Sequence, residues 1–191
     1  SGVFNQTFRS ISRGYNGKLT ANIGMQYNDN LYFGINLNSH FIDYDNYTIL
    51  NESNENGNSG QFKINGIYFE NRLSTFGEGF SAQFGMISKI SDVIRIGFTY
   101  DTPTWFTITE ETTQYLETSM IDEFDENSLL VTNPNAINVY EDYTIQMPSK
   151  ITASGAFVFK NFGLISFDYS RKDYGSMKFK PENDNYFSSI N

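Results

Sequence analysis

The chain has 191 residues, no cysteine, a single histidine, 17% aromatic and 18% charged residues, and a net charge of −9. That composition excludes a disulfide framework, a thiolate nucleophile and Cys-ligated zinc or iron–sulfur sites, and a lone His40 leaves no multi-histidine metal site. Its 13 Lys and Arg residues are scattered among 22 acids, whereas a nucleic-acid partner needs basic residues gathered on one face.

No run approaches the roughly 18 apolar residues that a transmembrane helix needs. Ser1-Gly2-Val3 has neither the basic start nor the apolar stretch of a secretory signal, so a signal is expected to lie outside these residues. A transmembrane β-barrel passes both tests silently, because its strands are apolar on one face only and their hydropathy averages out.

Period-2 alternation appears in three hairpin-like units. The first places Leu19, Ala21, Ile23 and Met25 on one face, turns at Asn28-Asp29-Asn30, and returns through Leu31, Phe33, Ile35 and Leu37, with Thr20, Asn22, Asn36 and Asn38 opposite. The second carries Phe80, Ala82, Phe84 and Met86 to a turn near 89–92 and returns through Ile94, Ile96, Phe98 and Tyr100. The third carries Ile151, Ala153, Gly155, Phe157 and Phe159 to a turn near 160–163 and returns through Ile165, Phe167 and Tyr169. Long polar connections near 47–60 and 117–138 alternate with these tight turns, as long extracellular loops alternate with short periplasmic turns in outer-membrane barrels.

Four or five apolar positions per strand span about 25–30 Å, or about 25 Å of height after tilting, the thickness of a bilayer's apolar band. Tyr27, Tyr32, Tyr44, Tyr100, Trp105, Phe106, Phe159, Phe162 and Tyr169 fall where the runs end, the place of interfacial aromatic girdles. Six strands are expected at roughly 17–27, 31–50, 61–88, 93–117, 138–159 and 163–180, with kinks near Gly77-Glu78-Gly79 and Pro103. The fold class is therefore all-β: one antiparallel transmembrane β-barrel domain over 1–191. Six strands are too few to close, since observed barrels have at least eight.

Three stretches carry a family resemblance: Phe76 to Trp105 (FGEGFSAQFGMISKISDVIRIGFTYDTPTW), Tyr143 to Tyr174 with its Pro-x-Lys before the strand and Asp-Tyr pair after the turn, and Leu31 to Tyr44 (LYFGINLNSHFIDY). Together they resemble the FadL/TodX family of outer-membrane hydrophobic-compound transporters, in its Bacteroidetes-type members. The resemblance implies a barrel of about 14 strands with an N-terminal hatch, located in the outer membrane and passing long-chain fatty acids or similar molecules by binding and passive diffusion. The expected partners are hydrophobic small molecules, outer-membrane lipid and lipopolysaccharide, with no cofactor. The hatch's Asn-Pro-Ala signature and the family's terminal aromatic strand have no match here, so its binding positions are not carried over.

The candidate capture surface is Thr118 to Leu130, where Ser119 is expected to cap a short helix with Asp122 and Glu123 in its first turn and with Met120, Ile121, Phe124, Leu129 and Leu130 as the apolar set. His40, Arg95, Asp101 and Asp168 are the lumen-facing polar candidates, as wall residues. Glu110, Glu111, Asp122, Glu123, Asp125 and Glu126 lack the spacing of a calcium loop and read as a solvated face. No catalytic or metal motif is present, so the protein is not read as an enzyme. The alternatives are a secretion-system accessory barrel with a protein partner at its rim, and a secreted β-sandwich adhesin.

Overall fold

A computed structural model describes residues 3–56, 63–121, 127–159 and 162–191. It is all-β apart from a 3-10 turn at Tyr174–Ser176 and one short helix, α1 (Asn185–Ile190). The strands are β1 (Phe4–Asn28), β2 (Leu31–Asn54), β3 (Lys63–Lys89), β4 (Ile94–Asp101), β5 (Thr104–Ile121), β6 (Asn127–Thr132), β7 (Asn138–Val139), β8 (Tyr143–Met147), β9 (Lys150–Phe159), β10 (Gly163–Lys172) and β11 (Lys178–Lys180). They form one antiparallel sheet in the order β10-β9-β4-β3-β5-β8-β11, with β2 also on β3, β1 on β2, and β6 and β7 on β5.

Several of these strands are successive pieces of one line of chain. β4 and β5 are separated only by Thr102-Pro103, and β8 and β9 only by Pro148-Ser149. The two breaks face each other, since Thr104 pairs with Met147 on one side and Asp101 with Lys150 on the other. Proline has no N–H to give a ladder, so both lines lose a donor at the same level. Thr102 repairs part of the gap: its N–H donates to Ala82 O at 2.9 Å and its hydroxyl accepts the Ala82 N–H at 2.9 Å. Among the described residues the eleven strands thus run in six lines of chain.

The expected kink at Gly77-Glu78-Gly79 does not interrupt β3, which is continuous from Lys63 to Lys89. A Cβ at Gly77 would stand 2.8 Å from Ile108 Cδ1, and one at Gly79 2.7 Å from Phe106 Cδ1. The two glycines give room to those side chains. Two of the tight turns close where expected, through side-chain caps. Asn28 Oδ1 accepts the Asn30 N–H at 2.9 Å, and Ser91 Oγ accepts the N–H groups of Val93 and Ile94. In the third turn, residues 160 and 161 lie outside the described residues, and Gly163 takes φ +141°.

Three expected boundaries differ. β1 starts at Phe4 rather than near 17, β2 continues to Asn54 through residues read as loop, and β5 extends to Ile121 where it pairs with β6 (Ser119 opposite Leu129). These added stretches have no continuous apolar face, so alternation does not reveal them. The chain divides into two compact units: unit 1 is 1–15, 43–76 and 109–141, and unit 2 is 16–42, 77–108 and 142–191.

Within unit 2 the apolar residues align in rows across the strands. Tyr169, Ala153, Phe98 and Met86 form one row, and Ile165, Phe157 and Ile94 another. The Phe167 ring covers Gly155, where a Cβ would meet it at 2.5 Å. The exposure pattern is the reverse of a water-soluble sheet. Leu37 is 49% exposed and Phe98 44%, while on the opposite face Asn38 and Ser81 are each 6% exposed. Ile108 is the one buried apolar side chain among the described residues. No helix of the described residues is long and apolar enough to cross a membrane, which says nothing of strands.

Candidate functional site

The polar face of unit 2 is a cross-strand ladder. Asn22 Nδ2 donates to Asn36 Oδ1, Asn36 Nδ2 to Gln83 Oε1, and Gln83 Nε2 to Asp101 Oδ1 at 2.6 Å, while Lys150 Nζ stands 3.4 Å from Asp101 Oδ2. One level runs through β1, β2, β3, β4 and β9. Asn36 and Gln83 each both accept and donate, which fixes strand register and satisfies groups that a desolvated face would otherwise leave unpaired. The Lys150–Asp101 pair is partly exposed and is worth under about 1 kcal/mol, so the Gln83 bond is the stronger anchor for Asp101.

A second level holds His40. Thr20 Oγ1 donates to Asn38 Oδ1 at 2.9 Å, Asn38 Nδ2 to Ser81 Oγ at 3.2 Å, and His40 Nε2 lies 2.9 Å from Ser81 Oγ. The Phe106 ring meets His40 edge-on at 5.5 Å. A serine within hydrogen-bond reach of a histidine is the first requirement of a nucleophile–base pair. Ser81 is buried and its oxygen already takes the Asn38 amide, and no hydrogen bond from His40 to a carboxylate is among the described contacts. The pair belongs to the polar ladder of the sheet.

Asp101 and His40 thus sit in the ladders that the sequence assigns to the polar face. Arg95 and Asp168 flank β9 on that same face, opposite Ala156 and Ser154, and line one groove with Ile87 and Ser166. Among the ring residues, Tyr27, Tyr44, Trp105, Phe159, Phe162 and Tyr169 are exposed, but Tyr32 and Phe106 turn to polar partners. Lys89 Nζ lies over the Tyr32 ring, and Phe106 packs on His40.

The helix expected at Thr118 to Leu130 is replaced, where residues are described, by the β5–β6 pairing; Asp122, Glu123 and Phe124 lie outside the described residues. Met120 pairs with Ser128 and Thr118 with Leu130, so Met120 and Leu130 share one face, while Leu129, opposite Ser119, takes the other. Nothing is described of the Ile121 side chain. The strand pleat splits the apolar set that a helix would have gathered.

Unit 1 holds two constellations not among the sequence candidates. Asp45 accepts from Arg72 Nε at 3.1 Å, Arg72 Nη2 at 2.9 Å and Ser74 Oγ at 2.6 Å, with the Arg72 guanidinium 5.0 Å above the Tyr47 ring. Hydrogen bonds from Ser74 and then Arg72 hold the Asp45 carboxyl below its ordinary value. On the neighbouring strands β3 and β5, Tyr68 donates to Glu70 Oε2 and Tyr115 to Glu117 Oε2, each at 2.8 Å, and the two rings meet edge-on at 6.0 Å. The carboxylate acceptor raises each phenol above its ordinary value. Both pairs line a cleft of about 500 Å³ with Thr113, Gln114 and Asn133. The signal was present in the sequence as a Tyr-x-Glu spacing that occurs twice, YFE and YLE, because residues two apart share a strand face.

Among the described residues, no three His, Asp or Glu side chains converge as metal ligands. Comparison with protein-family models, with curated proteins and with solved structures finds no match to this chain.

Proposed function

We propose that this chain is part of the wall of an outer-membrane β-barrel that passes hydrophobic small molecules by binding and passive diffusion. The observation that carries the reading is the reversed burial of β2, β3, β4 and β9 in unit 2, where large apolar side chains are exposed in rows and the amides and hydroxyls opposite are shielded. Water penalises that arrangement and a bilayer rewards it, since apolar side chains face hydrocarbon and the polar ladder faces the interior.

The barrel is larger than six lines of chain. Among the described residues β1 pairs only with β2, and β10 only with β9. Unpaired backbone groups in lipid cost several kcal/mol each, so further strands cover both edges, in agreement with the roughly 14 strands that the resemblance implies. The interior then carries the Asn22–Asn36–Gln83–Asp101–Lys150 ladder as a rigid wall, and apolar solutes move past it by diffusion. Fatty acids are the substrate that the resemblance suggests.

The test is uptake of radiolabelled apolar solutes by outer-membrane vesicles that contain or lack the protein, because a lipopolysaccharide leaflet itself resists such solutes. Faster entry with the protein is expected. Equal entry, or a folded monodisperse protein in buffer without detergent, contradicts the reading.

A further inference from the structure

The polar face of unit 2 carries an apolar station. Phe106 on β5, Ile145 on β8 and Phe179 on β11 stand opposite one another, so the three side chains share a face. Phe106 packs on His40, which places that row on the same face as the amide ladders. Ile108, next on that face of β5 and opposite Tyr143, is the buried apolar side chain of the described residues. Tyr143, Phe179 and Phe187 form a triangle of rings with centroids 5.4 to 6.4 Å apart, Phe187 stacked on Phe179 at an interplanar angle of 15°. The third ring comes from α1 and not from a strand.

Six residues are too few for a helix to persist by itself, and none of the six in α1 is buried. The helix is fastened to β11 by the Phe187 ring and by Asn191, whose Oδ1 accepts the Phe179 N–H at 2.7 Å and whose Nδ2 donates to the Phe179 carbonyl at 2.8 Å. An element docked by one ring and one amide opens at a lower free-energy cost than the strands beneath it. Opening uncovers apolar surface that water penalises and an apolar solute covers. The Phe187 ring is thus a stand-in for such a solute, seated by the chain itself.

We propose that residues 181–191 form a self-occupying latch: Phe187 holds the Tyr143–Phe179 seat while no solute is present, and a neutral apolar solute takes the seat by displacing it. The two occupants exclude each other, so the fraction of molecules whose seat is free sets the apparent affinity for solute. The inference rests on the transporter reading above. It adds to that reading a contact that opens when solute is held on the polar face.

The probe is naphthalene, a neutral ring solute. Amide hydrogen exchange over residues 181–191 is measured for the full-length protein in nanodiscs with and without it, and entry of the radiolabelled compound is followed in vesicles that contain lipopolysaccharide. Naphthalene is expected to speed exchange of the Ser188 and Asn191 amides, which bond the Asp184 and Phe187 carbonyls in the docked helix, by about threefold or more. Phe187→Ala, at a residue that belongs to no strand, is expected to raise those rates without solute, to remove their response to naphthalene and to speed entry about threefold. Ser188→Ala, at an exposed position of the same helix, is expected to keep the wild-type response. Exchange that naphthalene leaves unchanged or slows in the wild type, or entry through Phe187→Ala no faster than through the wild type, overturns the latch while the transporter reading stands. Wild-type entry no faster than in protein-free vesicles ends the transporter reading, and the latch's role with it.

Discussion

The same strands carry two different residue patterns in the two units. In unit 2, β2 alternates Phe33, Ile35, Leu37 and Phe41 against Asn36, Asn38 and His40; in unit 1 it continues as DYDNYTILNESN, polar on both faces. β5 changes character in the same way beyond Ile108. Unit 2 pairs many of its polar groups in ladders and carries no net charge. Unit 1 keeps charge and tyrosine together and lacks the apolar rows. Strand pairing is common to both units; the sign of the burial alternation in unit 2 is what separates them.

The sharpest way to break this contrast is to place the same charge in each unit. Leu37→Arg in unit 2 is expected to cost about 2–4 kcal/mol when unfolding is followed in lipid vesicles, the penalty of a lipid-facing arginine near the bilayer midplane. Asn51→Arg, at an exposed position of unit 1, is expected to change stability by no more than about 0.5 kcal/mol. Equal costs would erase the distinction between the units.

A smaller effect tests the polar ladder. Asp101→Ala removes the acceptor of Gln83 and the partner of Lys150, and a loss of about 1–3 kcal/mol is expected from the stranded donors. Asp101→Asn, which can still accept from Gln83, is expected to recover more than half of that loss in the same titration.

Acid should act first on unit 1. The Asp45 carboxyl is held low in the folded protein, so its contribution is complete above its ordinary value of about 3.9 and is lost as pH falls through the lower, folded value. Proteolysis within unit 1 is therefore expected to increase below about pH 4, and Asp45→Asn is expected to remove that pH dependence while weakening the bonds from Arg72 and Ser74 at all pH values. A wild-type protein with no acid response in unit 1 would contradict the account of this carboxyl. Smallest of all, Leu129→Ser is expected to shift stability by under about 0.5 kcal/mol, because Leu129 is 62% exposed and shares no face with Leu130.

The extent to which the sequence foretold these features follows from the same contrast. Lines of chain with an apolar face, such as Ile94 to Tyr100 against Ile151 to Phe157, announce themselves by alternation, and so do the turns at Asn28 and Ser91. The first 13 residues of β1 and the far ends of β2 and β5 do not, because no apolar face marks them. The Ser119-x-x-Asp122 pattern imitates a helix start, yet pairing with β6 overrides that local preference. At the site, Asp101 and His40 could be placed by phase alone. Arg72–Asp45 could not, since the two lie on separate strands 27 positions apart, and the doubled Tyr-x-Glu spacing is visible only to a search for polar rather than apolar repetition.

The central claim, that the exposed apolar face of unit 2 meets lipid, has a native probe in the chain's only tryptophan, Trp105, which is 41% exposed. Its fluorescence is measured for the protein in vesicles of brominated phospholipid and, separately, with aqueous iodide. Strong quenching by the lipid bromines, strongest for bromines near the head groups, with weak quenching by iodide is the predicted result. Full quenching by iodide with none by brominated lipid would contradict it.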